Sequence, residues 1–334
     1  MLRFGFCGVG GFVEKGVLPA ISGSGQARAV ALFDLSGQRR QQVGDAFHIE
    51  RRFSTYEDLL ACDEVDVVYV ASPNRFHRGQ AIAAAQAGKH VFCQKPMGLN
   101  ARECSDMLDA VAAANVRLGV GFCFRYAGAQ QKVRELLDAG DVGTPCALHM
   151  SFNFHGYTPE TVGWRCDARL AGGGPMMDLA PHMVDLACWF LKAQVESVMA
   201  YVSPEKTDER IEEDALAILQ MTNGTSALLD TSFNRRGDGA FYRVVGTQGA
   251  IRRDGIDAWH IGGREGAPLF LEKAGEAPQR IAYPVYEYLQ NELDAFCLAV
   301  ERDAEPPVSG CYGMEIQRVI DALYESGRTG RRCR

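Results

Sequence analysis

Over its first 122 residues the chain alternates short, β-rich apolar runs with helix-like stretches, and the first run closes in glycines. The runs are Leu2–Cys7, Arg28–Phe33, Val65–Ala71, Lys89–Cys93 and Val116–Phe122. Apolar runs with no polar alternation read as parallel strands buried on both faces. The stretches between them read as helices. Phe76–Ala87 is Ala-rich and stops at Gly88, and Ala101–Ala114 follows Asn100 and Glu103 in the order of a capping box. The pattern predicts a doubly wound α/β domain over residues 1–122.

The pattern then changes. A helix is expected over Gln130–Ala139, a strand over Cys146–Phe154, and a helix over Met177–Leu191 opened by Gly172-Gly173-Gly174-Pro175. Strands are expected at Val195–Val202, Ala215–Met221, Thr225–Phe233, Phe241–Val245 and Ala250–Arg253, with Asn223-Gly224 as a hairpin signal. Two helices, Tyr286–Arg302 and Gly313–Ser326, close the chain. Residues 123–334 therefore read as an α+β domain with a mostly antiparallel open sheet.

Composition narrows the function. The net charge of −7 argues against nucleic acid as a partner, since affinity for a polyanion is carried by Lys and Arg. No uncharged apolar run reaches about 18 residues, so no membrane span is expected. The N-terminal apolar stretch is broken by glycines and Glu14 and lacks a cleavage signal. The eleven cysteines include no C-x-x-C pair. They read as small core residues of a reduced, cytoplasmic protein, and no metal site is expected.

The candidate site residues lie at predicted strand ends. Gly8-Val9-Gly10-Gly11-Phe12-Val13 follows the first strand and opens a helix, as a dinucleotide pyrophosphate requires. Val13 stands where the fingerprint has Gly or Ala. Asp34 ends the second strand, where a carboxylate accepts from both ribose hydroxyls and repels a 2′-phosphate; this favours NAD over NADP. Arg39 and Arg40 follow closely and leave NADP open. Ser72, Pro73 and Asn74 occupy the loop after the third run, which reads either as lining the cofactor's ribose and nicotinamide or, through Asn74, as capping the next helix. His77, just beyond, is placed with the cofactor-binding residues, more as a packing or hydrogen-bonding residue than as a catalyst. Gln94 and Lys95 follow the fourth run, in the same crevice, and are also expected to bind the cofactor. Lys95 there reads either as a surface lysine before a Pro turn or as a group that polarises a carbonyl. Asp178 and His182, four apart, share a helix face. They read either as a dipole-stabilising Asp with a packed His or as a hydroxyl-binding and proton-accepting pair. Asp185 could orient the ring instead.

Together these segments resemble the glucose–fructose oxidoreductase, inositol dehydrogenase and rhizopine-catabolism family. The resemblance runs nearly end to end. It includes Gly8-Val9-Gly10-Gly11, Phe33-Asp34, ASPNRFH (71–77), AGKHVFCQKP (87–96), GGGPMMDLAPHMVDLACWFL (172–191), EDALAILQMTNGTSALL (213–229), VVGTQGAI (244–251) and YESGRTGRR (324–332). It implies a Rossmann domain over 1–122 and a substrate-binding and oligomerisation domain over 123–334, whose open sheet forms a homodimer or homotetramer interface. It implies that Lys95 is the catalytic lysine, in a Lys–Pro bond that can be cis, that Asp178 and His182 bind substrate hydroxyls, and that His182 accepts the proton. Arg125, Tyr126, Trp164 and Arg165 are then expected to border the substrate. From position alone, Phe152–Thr158 and Asp167–Leu170 are expected to border the cleft. Two departures stand out. Gln94 replaces the usual Glu before the lysine, and Cys123 stands where an Asn often precedes the aromatic-Arg pattern.

The expected activity is NAD(P)-dependent hydride transfer at a secondary hydroxyl or ketone of a sugar, inositol or related polyol. The alternatives are an NAD-dependent glycoside hydrolase working by transient C3 oxidation, and a non-catalytic NAD-binding regulator.

Overall fold

The computed structural model describes residues 1–235, 240–255, 266–284 and 287–334. The chain divides into two compact units: Met1–Cys123 with Glu287–Gln317, and Phe124–Tyr286 with Arg318–Arg334.

The first unit is built on a six-stranded parallel sheet. Its strands are β1 (Leu2–Cys7), β2 (Ala27–Phe33), β3 (Arg51–Phe53), β4 (Val67–Val70), β5 (His90–Gln94) and β6 (Leu118–Gly121), in the order β3-β2-β1-β4-β5-β6. β4, Val-Val-Tyr-Val, is buried at every position, as a strand covered on both faces must be. The helix Ala101–Ala113 begins where expected. Asn100 Oδ1 accepts the Glu103 N–H at 3.0 Å, and Glu103 Oε2 accepts the Leu99 N–H at 2.9 Å, one residue before a strict capping box.

A single division after residue 122 does not describe this unit, because the helix Tyr288–Glu301 belongs to it. An aromatic chain explains why. Phe6 and Tyr69 lie 5.2 Å apart, Tyr69 stacks on Phe92 at 5.2 Å, and Phe296 of the late helix meets Phe92 edge-on at 5.2 Å. Such pairs contribute about 0.5–1.5 kcal/mol each beyond burial. Tyr286, where this helix was expected to begin, lies outside the described residues.

Among the described residues, the second unit carries eight strands: β7 (Pro145–Asn153), β8 (Val195–Ser203), β9 (Asp214–Met221), β10 (Ser226–Ser232), β11 (Ala240–Gly246), β12 (Gly249–Asp254), β13 (Leu269–Lys273) and β14 (Gln279–Ile281). Their order is β14-β13-β12-β11-β7-β10-β9-β8; β7 and β10 pair in parallel and the other neighbours antiparallel. In β9 buried Ala215, Ala217 and Leu219 alternate with exposed Leu216 and Ile218, so one face of this end of the sheet is open and apolar. The helix Ala180–Leu191 packs on β7 and β10.

The helix expected over Met177–Leu191 is two pieces, Pro175–Asp178 and Ala180–Leu191, interrupted at Leu179. Pro181 is the reason: it has no N–H to donate to the carbonyl four residues back. The His182 N–H bonds to Leu179 O at 3.1 Å, so Asp178 and His182 are not on one regular helix.

Candidate active site

In a parallel sheet the C-terminal strand ends share one edge. The Gly8 turn after β1, Asp34 after β2, the Ser72–Asn74 loop after β4 and Lys95 after β5 all emerge there in the first unit. Gly8 has φ +88°, and a Cβ on it would meet the backbone of Ala71 and Ser72 at 3.0–3.1 Å. Gly10 and Gly11 are exposed, and a Cβ on either would enter open space. Residues 11–22 are helical, with a π-helical turn at Val13–Val17. Phe12 is half-buried and Val13 lies in the core, so Val13 packs the helix on the sheet.

Asp34 is half-buried; its Oδ2 accepts the Val9 N–H at 3.0 Å and its Oδ1 the Ser36 N–H at 2.9 Å. Arg39 donates to Val9 O and to Glu14, and Arg40 donates to Asp34 O at 2.7 Å. An open glycine turn at a helix start, with a carboxylate held beside it, fits a dinucleotide: the turn can take the diphosphate and Asp34 the ribose.

His77 sits beneath the next loop and is 1% exposed. Its Nδ1 lies 2.9 Å from Pro96 O and its Nε2 2.9 Å from Ser72 O, so one ring ties the Ser72–Asn74 loop to the Lys95–Pro96 turn. Burial lowers its pKa, opposed by those two carbonyls. Asn74 is buried, while Ser72, Pro73 and Lys95 are half-buried, and Lys95–Pro96 is cis. Gln94, in the place of the usual Glu, donates its amide to the Tyr69 hydroxyl.

In the second unit, buried His182 stacks on Phe124, ring centres 4.1 Å apart at 23°, which fixes the imidazole plane. Asp178 is half-buried. Asp185 turns to Arg125 in a buried ion pair, and the Arg125 guanidinium lies 5.8 Å from the Trp189 ring centre. Arg125, expected at the substrate, is thus held by a protein carboxylate. Tyr126, in the same 3-10 turn, is half-buried. Arg165 stacks over Trp164 at 4.6 Å. A cleft of about 650 Å³ opens beside Trp164, lined also by Pro159, Cys166, Asp167, Arg169 and Leu170.

Two residues outside the expected set hold the turn before Asp178. The buried Glu212 carboxylate accepts the Gly174 and Met176 N–H groups, and the Tyr324 hydroxyl donates to it. Burial pushes Glu212 above the usual carboxylate range against the pull of these donors. In sequence Glu212 is one acid of a Glu-Glu-Asp run, with nothing to mark it as buried.

Among the described residues, no group of three or more His, Cys, Asp or Glu could hold a metal ion, and no helix is long and apolar enough to cross a membrane.

Comparison with known proteins covers most of the chain. The family model described as the oxidoreductase family, NAD-binding Rossmann fold, matches residues 2–122, and the GFO/IDH/MocA C-terminal domain model matches residues 130–252. A D-xylose 1-dehydrogenase (NADP(+)) of Haloferax volcanii is 30% identical over 98% of both chains. A 1,5-anhydro-D-fructose reductase of Ensifer adhaerens is 28% identical over 99% of this chain and 97% of its own. The crystal structure of an aldose-aldose oxidoreductase from Caulobacter crescentus, complexed with glycerol, superposes with a TM-score of 0.88 at 26% identity, covering 100% of this chain and 99% of that one.

Proposed function

The chain belongs to the Gfo/Idh/MocA family of NAD-binding oxidoreductases, and on that footing we propose that it is an NAD(P)-dependent dehydrogenase or reductase acting on a secondary CH–OH or ketone of a sugar, inositol or related polyol. When bound, the nicotinamide supplies the hydride acceptor or donor. Lys95 hydrogen-bonds the reacting oxygen and stabilises its developing negative charge. An imidazole nitrogen of His182 takes the hydroxyl proton in oxidation and returns it in reduction. Asp178 holds a neighbouring hydroxyl through its carboxylate and fixes the sugar's pose.

The observation that carries the reading is Lys95 at the end of β5, on the edge where the Gly8 turn and Asp34 also emerge. NAD is the proposed cofactor. In support, Arg40 is turned to the Asp34 backbone oxygen and Arg39 to Val9 O and Glu14, leaving Asp34 as the charge that meets the ribose. A second copy of the chain is the proposed partner, seated on the open face of the second sheet. There Met199 pairs across from Ile218, Tyr201 from Leu216 and Leu228 from Ile218, and all are exposed. The eleven thiols, several of them buried, suit a reducing cytoplasm.

The test is absorbance at about 340 nm with NAD⁺, and separately NADP⁺, against pooled inositols, aldoses and sugar acids, with Lys95→Ala as control. A lysine-dependent rise that leaves NAD⁺ binding intact in the variant is the expected result. Loss of NAD⁺ binding in Lys95→Ala makes the lysine a cofactor anchor and overturns its assigned role. Release of free sugar from a glycoside without net NADH makes the chain a hydrolase.

A further inference from the structure

The tight turn that opens the Asp178 helix is closed around one carboxylate. Glu212 is fully buried. Its Oε2 accepts the Gly174 N–H at 3.0 Å, and its Oε1 accepts the Met176 N–H at 2.9 Å and the Tyr324 hydroxyl at 2.9 Å. Pro175, between the two backbone donors, has no N–H of its own. The carboxylate thus binds two backbone donors that flank the start of the Pro175–Asp178 helix, groups with no partner inside the helix. The glycines are needed for this approach. A Cβ on Gly174 would collide with the Glu212 carbonyl oxygen, and one on Gly173 with the Tyr324 hydroxyl. A buried carboxylate is costly unless it is fully hydrogen-bonded, so these donors and Glu212 fix one another.

We infer that Glu212, braced by Tyr324, is a positioning residue that sets where the Asp178 carboxylate and the His182 imidazole stand. Asp178 follows Met176 by two residues, and its N–H closes the same turn on Gly174 O at 2.9 Å. The helix that carries His182 starts two residues later, at Ala180. A shift of the Gly174–Met176 segment therefore moves both side chains. The inference rests on the reading of Asp178 and His182 as substrate residues.

The test uses the full chain with Glu212→Gln and Tyr324→Phe. A Gln whose oxygen keeps Met176 and Tyr324 turns its NH₂ toward the Gly174 N–H and loses that bond. Tyr324→Phe removes the third donor and leaves the backbone bonds in place, so it serves where Glu212→Gln folds poorly. Three quantities are read: hydrogen exchange at the amides of 172–178, NAD⁺ affinity by titration, and kcat and KM per folded molecule with D-xylose and myo-inositol as probes. In Glu212→Gln, faster exchange at Gly174 and Met176, unchanged NAD⁺ affinity and a kcat/KM reduced about a hundredfold are expected, the loss that a displacement of about 1 Å produces. Tyr324→Phe is expected to show the same effects at smaller size. A merely structural role lowers the folded fraction and leaves kcat and KM per folded molecule at wild-type values; that result overturns the inference, as does unchanged exchange. Asp178→Asn and His182→Ala are measured alongside. If both retain wild-type turnover, the reading of the site has failed, while the exchange data still decide whether Glu212 holds the turn.

Discussion

Asp185 and Arg125 form a buried ion pair. The carboxylate has no exposure, its Oδ1 takes the guanidinium Nη2, and its Oδ2 lies 3.3 Å from Nε. Removing one partner of such a pair strands the other charge in a low-dielectric site. Asp185→Ala is expected to destabilise the chain by about 3–5 kcal/mol, far more than an exposed pair would. Urea unfolding monitored by circular dichroism measures it. A loss under about 1 kcal/mol would mean that water reaches the guanidinium and the pair is not buried in solution.

The His77 clamp makes stability depend on pH. Burial pushes the imidazole below its usual range, so in the unfolded chain it takes a proton near about 6.5 and in the folded chain only at lower pH. Between those two values the unfolded chain binds more protons, and stability rises with pH. The contribution is fully present above about 6.5 and is lost as the pH falls below it. His90 is pushed the same way by burial, so the wild type must be compared with His77→Gln. Unfolding free energies at about pH 7.5 and about pH 5.5 should fall more steeply in the wild type than in the variant. Equal slopes would show that His77 takes up its proton at the same pH in the folded as in the unfolded chain, and a shallower fall in the wild type that the two carbonyls outweigh burial.

Asp34 carries the proposed preference for NAD. Asp34→Ser removes a charged acceptor for the ribose hydroxyls and the repulsion of a 2′-phosphate. The ratio of kcat/KM for NAD⁺ over NADP⁺ should fall about ten- to a hundredfold, the worth of one or two charge-assisted hydrogen bonds. The variant also loses the bonds to Val9 and Ser36 N–H, which loosens the turn. That loss affects both cofactors alike and cancels in the ratio. A ratio that does not move would transfer the discrimination to Arg39 and Arg40.

What could be read in the sequence follows from which features are local. β4 is legible because a strand buried on both faces is apolar at every position, and the Asn100 cap is legible because its partner is three residues away. β3, Arg-Arg-Phe, escapes notice because an edge strand with an exposed Arg51 has no apolar signature. The break at Leu179 was foreshadowed by Pro181, yet the apolar run around it reads as one helix. The helix Tyr288–Glu301 shows an apolar stripe but nothing that names Phe92 as its partner, so its place in the first unit is invisible to pattern. Glu212 is harder still. A carboxylate beside two other residues' charges reads as surface, and its donors lie 36 to 112 residues away along the chain.

The open face of the second sheet tests the proposed partner. Ile218 is 51% exposed, between Met199 of β8, itself 51% exposed, and Leu228 of β10. A twofold interface repeats every residue, so Ile218→Glu places two carboxylates in the surface that a dimer must dry. Leaving each without a counter-ion costs several kcal/mol, and the dissociation constant should rise about a thousandfold or more. Sedimentation velocity at micromolar protein should show the wild type as a dimer or a multiple of it, and Ile218→Glu as a monomer. The variant's circular dichroism should match the wild type, because the Ile218 side chain points away from the sheet's buried face, where Ala217 and Leu219 lie. A wild type that sediments as a monomer under these conditions would remove the second copy as the partner and leave the apolar face to be explained by another.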